Sequence, residues 1–191
     1  GKTLAMAALM RSTGRVYAFD VSEHRLAKLR PRLARSGASN IDARLIASEH
    51  DAKLGRLAGK LDRVLVDAPC TGLGTLRRNP DLKWRQHEAD LEALTRKQLS
   101  ILSAAARLLK PGGRLVYATC SLLPEENEAV VEAFLREHPE FRPLSAQRLL
   151  AMQSIGLDAG ALPSDDYLRL MPHVHGTDGF FAAAMERVHG F

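Results

Sequence analysis

The stretch Arg63-Val64-Leu65-Val66-Asp67-Ala68-Pro69-Cys70 decides the fold, together with its echo at Arg114-Leu115-Val116-Tyr117-Ala118-Thr119-Cys120. Each is a short apolar run that ends in polar residues and a cysteine. Such runs suit buried strands of a parallel sheet. Between them, Asp90 to Leu109 reads as a long helix, ended by Lys110-Pro111-Gly112-Gly113. Working outward, Arg15 to Asp20 and Ala43 to Ala47 read as further strands. Lys2 to Arg11 reads as a helix. Ser22 caps another that runs to Ser36, with Gly37 as its stop. Glu125 to His138 is a third. From Tyr167, two extended stretches flank His173 to Gly179, as in a hairpin with a long turn. This alternation predicts an α/β fold, a mostly parallel sheet with helices on both faces and a C-terminal antiparallel hairpin. Right-handed crossovers put the carboxyl ends of the parallel strands on one edge. Ligands bind outside that edge. The residues to watch are Asp20, Ser48, Asp67 to Cys70, and Thr119 to Ser121.

The chain has 191 residues, enough for one domain with a real core. Its 46% hydrophobic and 26% charged residues are ordinary for a globular protein. No stretch approaches the ~18 apolar residues of a membrane span. The opening GKTLAMAALM lacks the basic front and cleavage site of a signal peptide, so the expected setting is cytoplasmic, without a membrane. The two cysteines form no disulfide framework and are expected as thiols. A net charge of +5 suits a polyanionic partner. Gly1-Lys2-Thr3 runs into a helical pattern with no strand before it, so a segment is expected upstream.

Asp20 ends a strand about 20 residues after a glycine that opens a helix, where a doubly wound fold puts the carboxylate that binds ribose hydroxyls. The loop after Cys70 carries Arg77, Arg78, Lys83 and Arg85 with Trp84, the only tryptophan. Four cations beside a cysteine suit a grip on a phosphate backbone. The competing reading is a solvated basic loop with Trp84 tucked against the core. If the strands ending at Asp67 and Thr119 pair, Cys70 and Cys120 stand side by side. Two thiols facing one cleft suit chemistry on C5 of cytosine. That carbon is a poor nucleophile until a thiolate adds to C6, after which a second group must help the thiolate leave. Asp67 is placed to assist at N3. The base has to leave its stack to reach such a cleft. His173 and His175 fall on one side of a possible strand, but two histidines make an incomplete site, and no metal is expected.

DAPCTGLGTLRRNPDLKW (Asp67 to Trp84) and LVYATCSLLPEENE (Leu115 to Glu128) resemble the fourth and sixth motifs of the Sun/NSUN family of RNA cytosine-5-methyltransferases, most of all its bacterial ribosomal-RNA branch. Gly1-Lys2-Thr3 resembles the end of the family's first motif, which implies a catalytic domain cut within that motif. Asp178-Gly179-Phe180-Phe181 is also family-like. The resemblance implies a Rossmann-like class I fold, S-adenosylmethionine as cofactor, and RNA as partner, ribosomal before transfer RNA. It implies Cys120 as the nucleophile, Cys70 as the group that promotes product release, and Asp67 between cofactor and base. It also implies Asp20 on the adenosine ribose, with Gly1 and Lys2 in the cofactor loop. One departure stands at Ser48, where the family usually has an Asp near the adenine. Two rivals remain open. One is a phosphate-loop NTPase, for which Gly1-Lys2-Thr3 would need another glycine five positions earlier. The other is an RNA-binding module without catalysis.

Overall fold

The computed structural model describes residues 1–85, 88–156 and 167–190. It divides into two compact units, Gly1–Leu54 and Gly55–Phe191.

In the first unit, helix α1 (Lys2–Leu9) packs on strand β1 (Val16–Asp20). Helix α2 (Glu23–Ser36) starts where the Ser22 hydroxyl accepts the Arg25 amide at 3.3 Å. It stops at Gly37, whose φ of 68° closes the helix. Strand β2 (Ile41–Leu45) then runs parallel to β1, from Val16 opposite Ile41 to Asp20 opposite Leu45. It begins and ends two residues earlier than the sequence suggests. The reason lies in Asp51, whose carboxylate accepts the Ala47 amide at 2.8 Å and draws that residue into a turn. Helix α3 (Ala52–Gly55) is a single turn at the boundary between the two stretches of chain.

The second unit holds a five-stranded sheet. Strand β3 (Leu61–Asp67) leads through a 3-10 turn (Leu73–Thr75) and helix α4 (Leu82–Arg85) to helix α5 (Glu88–Ala106). Strand β4 (Leu109–Thr119) returns parallel to β3, with Asp67 opposite Ala118. Next come helix α6 (Glu128–Glu137), strand β5 (Phe141–Leu144) and helix α7 (Ala146–Met152). Strand β6 (Tyr167–Leu170), helix α8 (Pro172–His175) and strand β7 (Phe180–Arg187) complete it. Strand β7 is antiparallel to all its neighbours. Along one side lies β4. Along the other, β6 pairs with residues 180–183 and β5 with residues 184–187. Leu102 of α5, Leu115 and Tyr117 of β4, Phe134 of α6, and Phe181 and Met185 of β7 are fully buried where these elements meet. Burying such side chains is worth roughly 1.5–3 kcal/mol each.

Three local outcomes differ from the sequence reading. Strand β4 begins at Leu109, because Leu109 already pairs with Leu61 and the Lys110-Pro111-Gly112-Gly113 segment is absorbed as a register shift. Strand β5 contains Pro143, which made it unreadable as a strand; its ladder partner is Met185 of β7. His173 and His175 lie on a helical turn rather than a strand. Pro172 opens that turn and Gly176, with φ 64°, closes it. Among the described residues, no group of three or more His, Cys, Asp or Glu could hold a metal. Among them, too, no helix is long and apolar enough to cross a membrane.

Candidate active site

Because β3 and β4 are parallel, the loops that follow them leave from the same edge of the sheet. Their backbones stay joined past the strand ends. The Ala68 amide donates to the Ala118 carbonyl at 2.9 Å, and the Gly74 amide donates to the Cys120 carbonyl at 2.8 Å. This brings the two thiols together, with Cys70 Sγ and Cys120 Sγ 3.4 Å apart, both unoxidised and half-buried. The contact with Cys120, burial, and charge on Cys120 all push the Cys70 thiol well above the ordinary value of 9.0. One thiol of the pair therefore keeps its proton at neutral pH, within reach of the other sulfur.

Three buried side chains hold the residues on either side of each cysteine. Glu126 is fully buried. Its Oε1 accepts the Thr71 amide and the Gln98 side-chain amide, each at 2.9 Å. Its Oε2 accepts the Thr71 hydroxyl at 2.6 Å and the Ser121 hydroxyl. Gln98, from the middle of α5, also donates to the Pro69 carbonyl at 2.8 Å. Asn127 donates to the Ser121 carbonyl at 3.1 Å and accepts the Thr119 hydroxyl at 2.5 Å. Tyr117 of β4 fixes the root of this group, with its hydroxyl donating to the Glu126 carbonyl at 2.7 Å. The sequence reading quoted Glu126 and Asn127 only as part of a motif and passed over Gln98. The one signal available was a run of acidic and amide residues placed just after a strand.

The start of β7 joins the same edge. The Gly179 amide donates to the Gly74 carbonyl at 2.8 Å. A Cβ on Gly74 would strike the Gly179 carbonyl and come within 2.7 Å of the Cys120 carbonyl oxygen, so the approach needs glycine. Asp178, 5% exposed, is ion-paired with Arg78 and, at 3.5 Å, with Arg77. Arg77 also donates to the Gly176 carbonyl at 2.8 Å. Thus two of the four cations expected to grip RNA are engaged within the protein, although both side chains remain more than half exposed. Lys83 lies 4.9 Å from the centre of the Trp84 ring, and Trp84 is 76% exposed, not tucked into the core. Arg85 ends α4, and its side chain falls outside the described residues.

Asp67 closes β3 with its side chain exposed beside these loops. Gly1, Lys2 and Asp20 belong to the first unit. Gly1 caps α1, and Lys2 is its first, exposed residue. Asp20 Oδ1 accepts the Ser22 amide at 2.8 Å, and Oδ2 stands 3.9 Å from Arg25. Ser48, in the same unit, is turned inward on its own loop, its hydroxyl accepting the His50 amide at 3.2 Å.

The parallel β3–β4 pair with the antiparallel last strand beside it matches the class I S-adenosylmethionine-dependent methyltransferase fold of solved structures. The solved structure of NSun6 from Pyrococcus horikoshii with SFG superposes with a TM-score of 0.82 and 34% identity, over 100% of this chain and 46% of that one. The chain belongs to the family described as 16S rRNA methyltransferase RsmB/F, which matches residues 1–186. It is 37% identical to the probable ribosomal RNA small subunit methyltransferase B of Bacillus subtilis (strain 168) over 193 residues, 98% of this chain and 41% of the relative. The protein of the same description from Synechocystis sp. (strain ATCC 27184 / PCC 6803 / Kazusa) is 39% identical over the same length, again 98% of this chain and 41% of the relative. The chain thus spans about two fifths of the length of these relatives. Family membership leaves no place for the phosphate-loop reading of Gly1-Lys2-Thr3.

Proposed function

We propose that this chain transfers a methyl group from S-adenosylmethionine to C5 of a cytosine in RNA, small-subunit ribosomal RNA first, through a covalent bond between Cys120 and C6. One observation carries the proposal: two unoxidised thiols 3.4 Å apart at the carboxyl edge of a parallel strand pair. Cys120 adds to C6 as a thiolate, and electron density moves to C5. The cofactor supplies an electrophilic methyl group to that carbon. The new C5–CH3 bond forms as the donor's S–CH3 bond breaks. A water molecule takes the C5 proton as base, the C5–C6 double bond is restored, and Cys120 is expelled as a thiolate. Cys70 keeps its own proton for the reason given above. Its S–H points a donor at the departing sulfur, which lowers the basicity of that sulfur and helps it leave. Asp67 sits at the same edge as the group that assists at N3 of the base.

The residues of the first unit suit the cofactor. Asp20 is held by the Ser22 amide through one oxygen and keeps lone pairs for the hydroxyls of a ribose. Gly1 and Lys2 stand at the start of α1, where the family's cofactor loop ends. Lys83 and Arg85, with Arg77 and Arg78, are the cations of this reading that meet RNA. Two thiols without a disulfide fit a reducing compartment such as the cytoplasm.

The test is an adduct trap. The Cys70→Ala protein is incubated with ribosomal RNA and S-adenosylmethionine, then denatured. A protein–RNA band that survives denaturation, and is missing from the Cys70→Ala/Cys120→Ala double variant, is the expected result. Cofactor binding with no band on ribosomal or transfer RNA would sink the two-thiol mechanism and favour a binding module.

A further inference from the structure

We propose that Glu126 is a positioning residue that sets the distance between the two thiols. The inference rests on the two-thiol reading above. It starts from the pattern of the straps rather than from either cysteine. Pro69 and Thr71 flank Cys70, while Thr119 and Ser121 flank Cys120. Thr71 and Ser121 share a single carboxylate, Glu126. Its carboxylate binds next to both cysteines, and it gathers two hydroxyls that lie 3.2 Å from each other. Gln98 adds Pro69 to the same cluster, and Asn127 closes the Cys120 side alone.

The chemistry of the group suits the task. A carboxylate accepts through four lone-pair directions. Here four donors fill them, two on each oxygen. Hydrogen bonds to a carboxylate are short and about twice as strong as neutral ones. Buried as it is, the group has no water to exchange them with. Its backbone is tied to β4 through Tyr117, so the strap has a fixed root. A shift of the Cys70 loop therefore has to break bonds that also hold the Cys120 loop. The two sulfurs move together or not at all. Such coupling fits a mechanism in which one sulfur must meet a base while the other follows it at constant distance.

Glu126→Ala removes all four contacts. Glu126→Gln removes fewer. Its carbonyl oxygen still accepts the Thr71 and Gln98 amides. Its amide group faces two hydroxyls, which can turn round and accept.

The measurement is the rate at which phenylarsine oxide bridges the two thiols, followed by the mass of the intact protein at a temperature well below unfolding. Two As–S bonds form, two S–H bonds and the As–O bond break, and water leaves. Neither RNA nor cofactor is present, so the result stands apart from the methyl-transfer proposal. Loss of the strap is expected to slow bridging about tenfold in Glu126→Ala, while Glu126→Gln stays within about twofold of the parent. Bridging at the parent rate in Glu126→Ala, with its unfolding temperature lowered, would make the residue merely structural and overturn the proposal. Equal slowing in Glu126→Gln would overturn it too, because the geometry it keeps would then not be what matters. Should Glu126→Ala fail to fold, the Thr71→Val/Ser121→Ala double variant decides by the same reading. It removes the two hydroxyl straps to Glu126, with the contact between those hydroxyls and the Leu123 amide bond to Ser121, and leaves the Glu126 bonds to the Thr71 and Gln98 amides: slow bridging supports the proposal and parent-rate bridging rejects it.

Discussion

Cys120 and Cys70 share a motif-like setting yet are not equivalent. The contact with Cys120, burial and neighbouring charge push the Cys70 thiol above its ordinary value. Replacing Cys120 by Ala is therefore expected to abolish methyl transfer while S-adenosylmethionine binding, read by calorimetry, is unchanged. Normal turnover in that variant would remove Cys120 from the mechanism. Both cysteines were legible in the sequence, because each closes an apolar run and the runs belong to neighbouring parallel strands. Gln98 was not. It sits 28 residues from Glu126 on a helix whose residues give no hint of which one turns toward the loops. Asp178 was quoted within a family-like stretch, but its ion pair was hidden for the same reason: its partner Arg78 lies 100 residues away. Long-range polar contacts leave no periodic trace in a sequence, whereas a buried strand does.

At the scale of elements, the basic loop after β3 divides into two parts with different duties. Arg77 and Arg78 are tied to Asp178, and the buried carboxylate holds Arg78 in its charged form more firmly than usual. Lys83 instead stands 4.9 Å from the centre of the exposed Trp84 ring. Replacing Lys83 by Gln is expected to lower the salt dependence of RNA binding by about 0.7–0.9 in the log–log slope, with no change in unfolding temperature. Replacing Arg78 by Glu sets a second carboxylate beside Asp178 and is expected to lower the unfolding temperature as well. A slope unchanged by Lys83→Gln, in binding titrations at several salt concentrations, would return that residue to solvent. The helices and strands themselves were mostly readable, since caps such as Ser22 and stops such as Gly37 are local. Strand β5 was not, because Pro143 belongs in a strand only beside a partner found elsewhere in the chain.

On the scale of the whole molecule, alkaline pH is the condition to which the second unit is most exposed. Tyr117, like Cys70, is pushed up, chiefly by burial and then by the charge of Glu126. The folded chain keeps both protons where the unfolded chain has lost them. Stability is therefore full below the ordinary thiol value of 9.0 and falls as pH rises past it, and further past the ordinary phenol value of 10.0. Denaturant midpoints measured from pH 7 to 11 are expected to fall in the parent and to fall less in Cys70→Ala. A flat profile would show that the thiol is not held in its protonated form. Strand β7 has a consequence for how the molecule comes into being. It pairs with β4, β5 and β6, and the loop before it touches the Cys70 and Cys120 loops at Gly74. During synthesis, those loops wait for a strand made more than fifty residues after Cys120. Until residues 180–187 have left the ribosome, β4 is an open edge and the reactive pair lacks one of its walls. The edge that carries both thiols thus takes its final shape only after residue 187 has been made, some sixty residues after Cys120 itself.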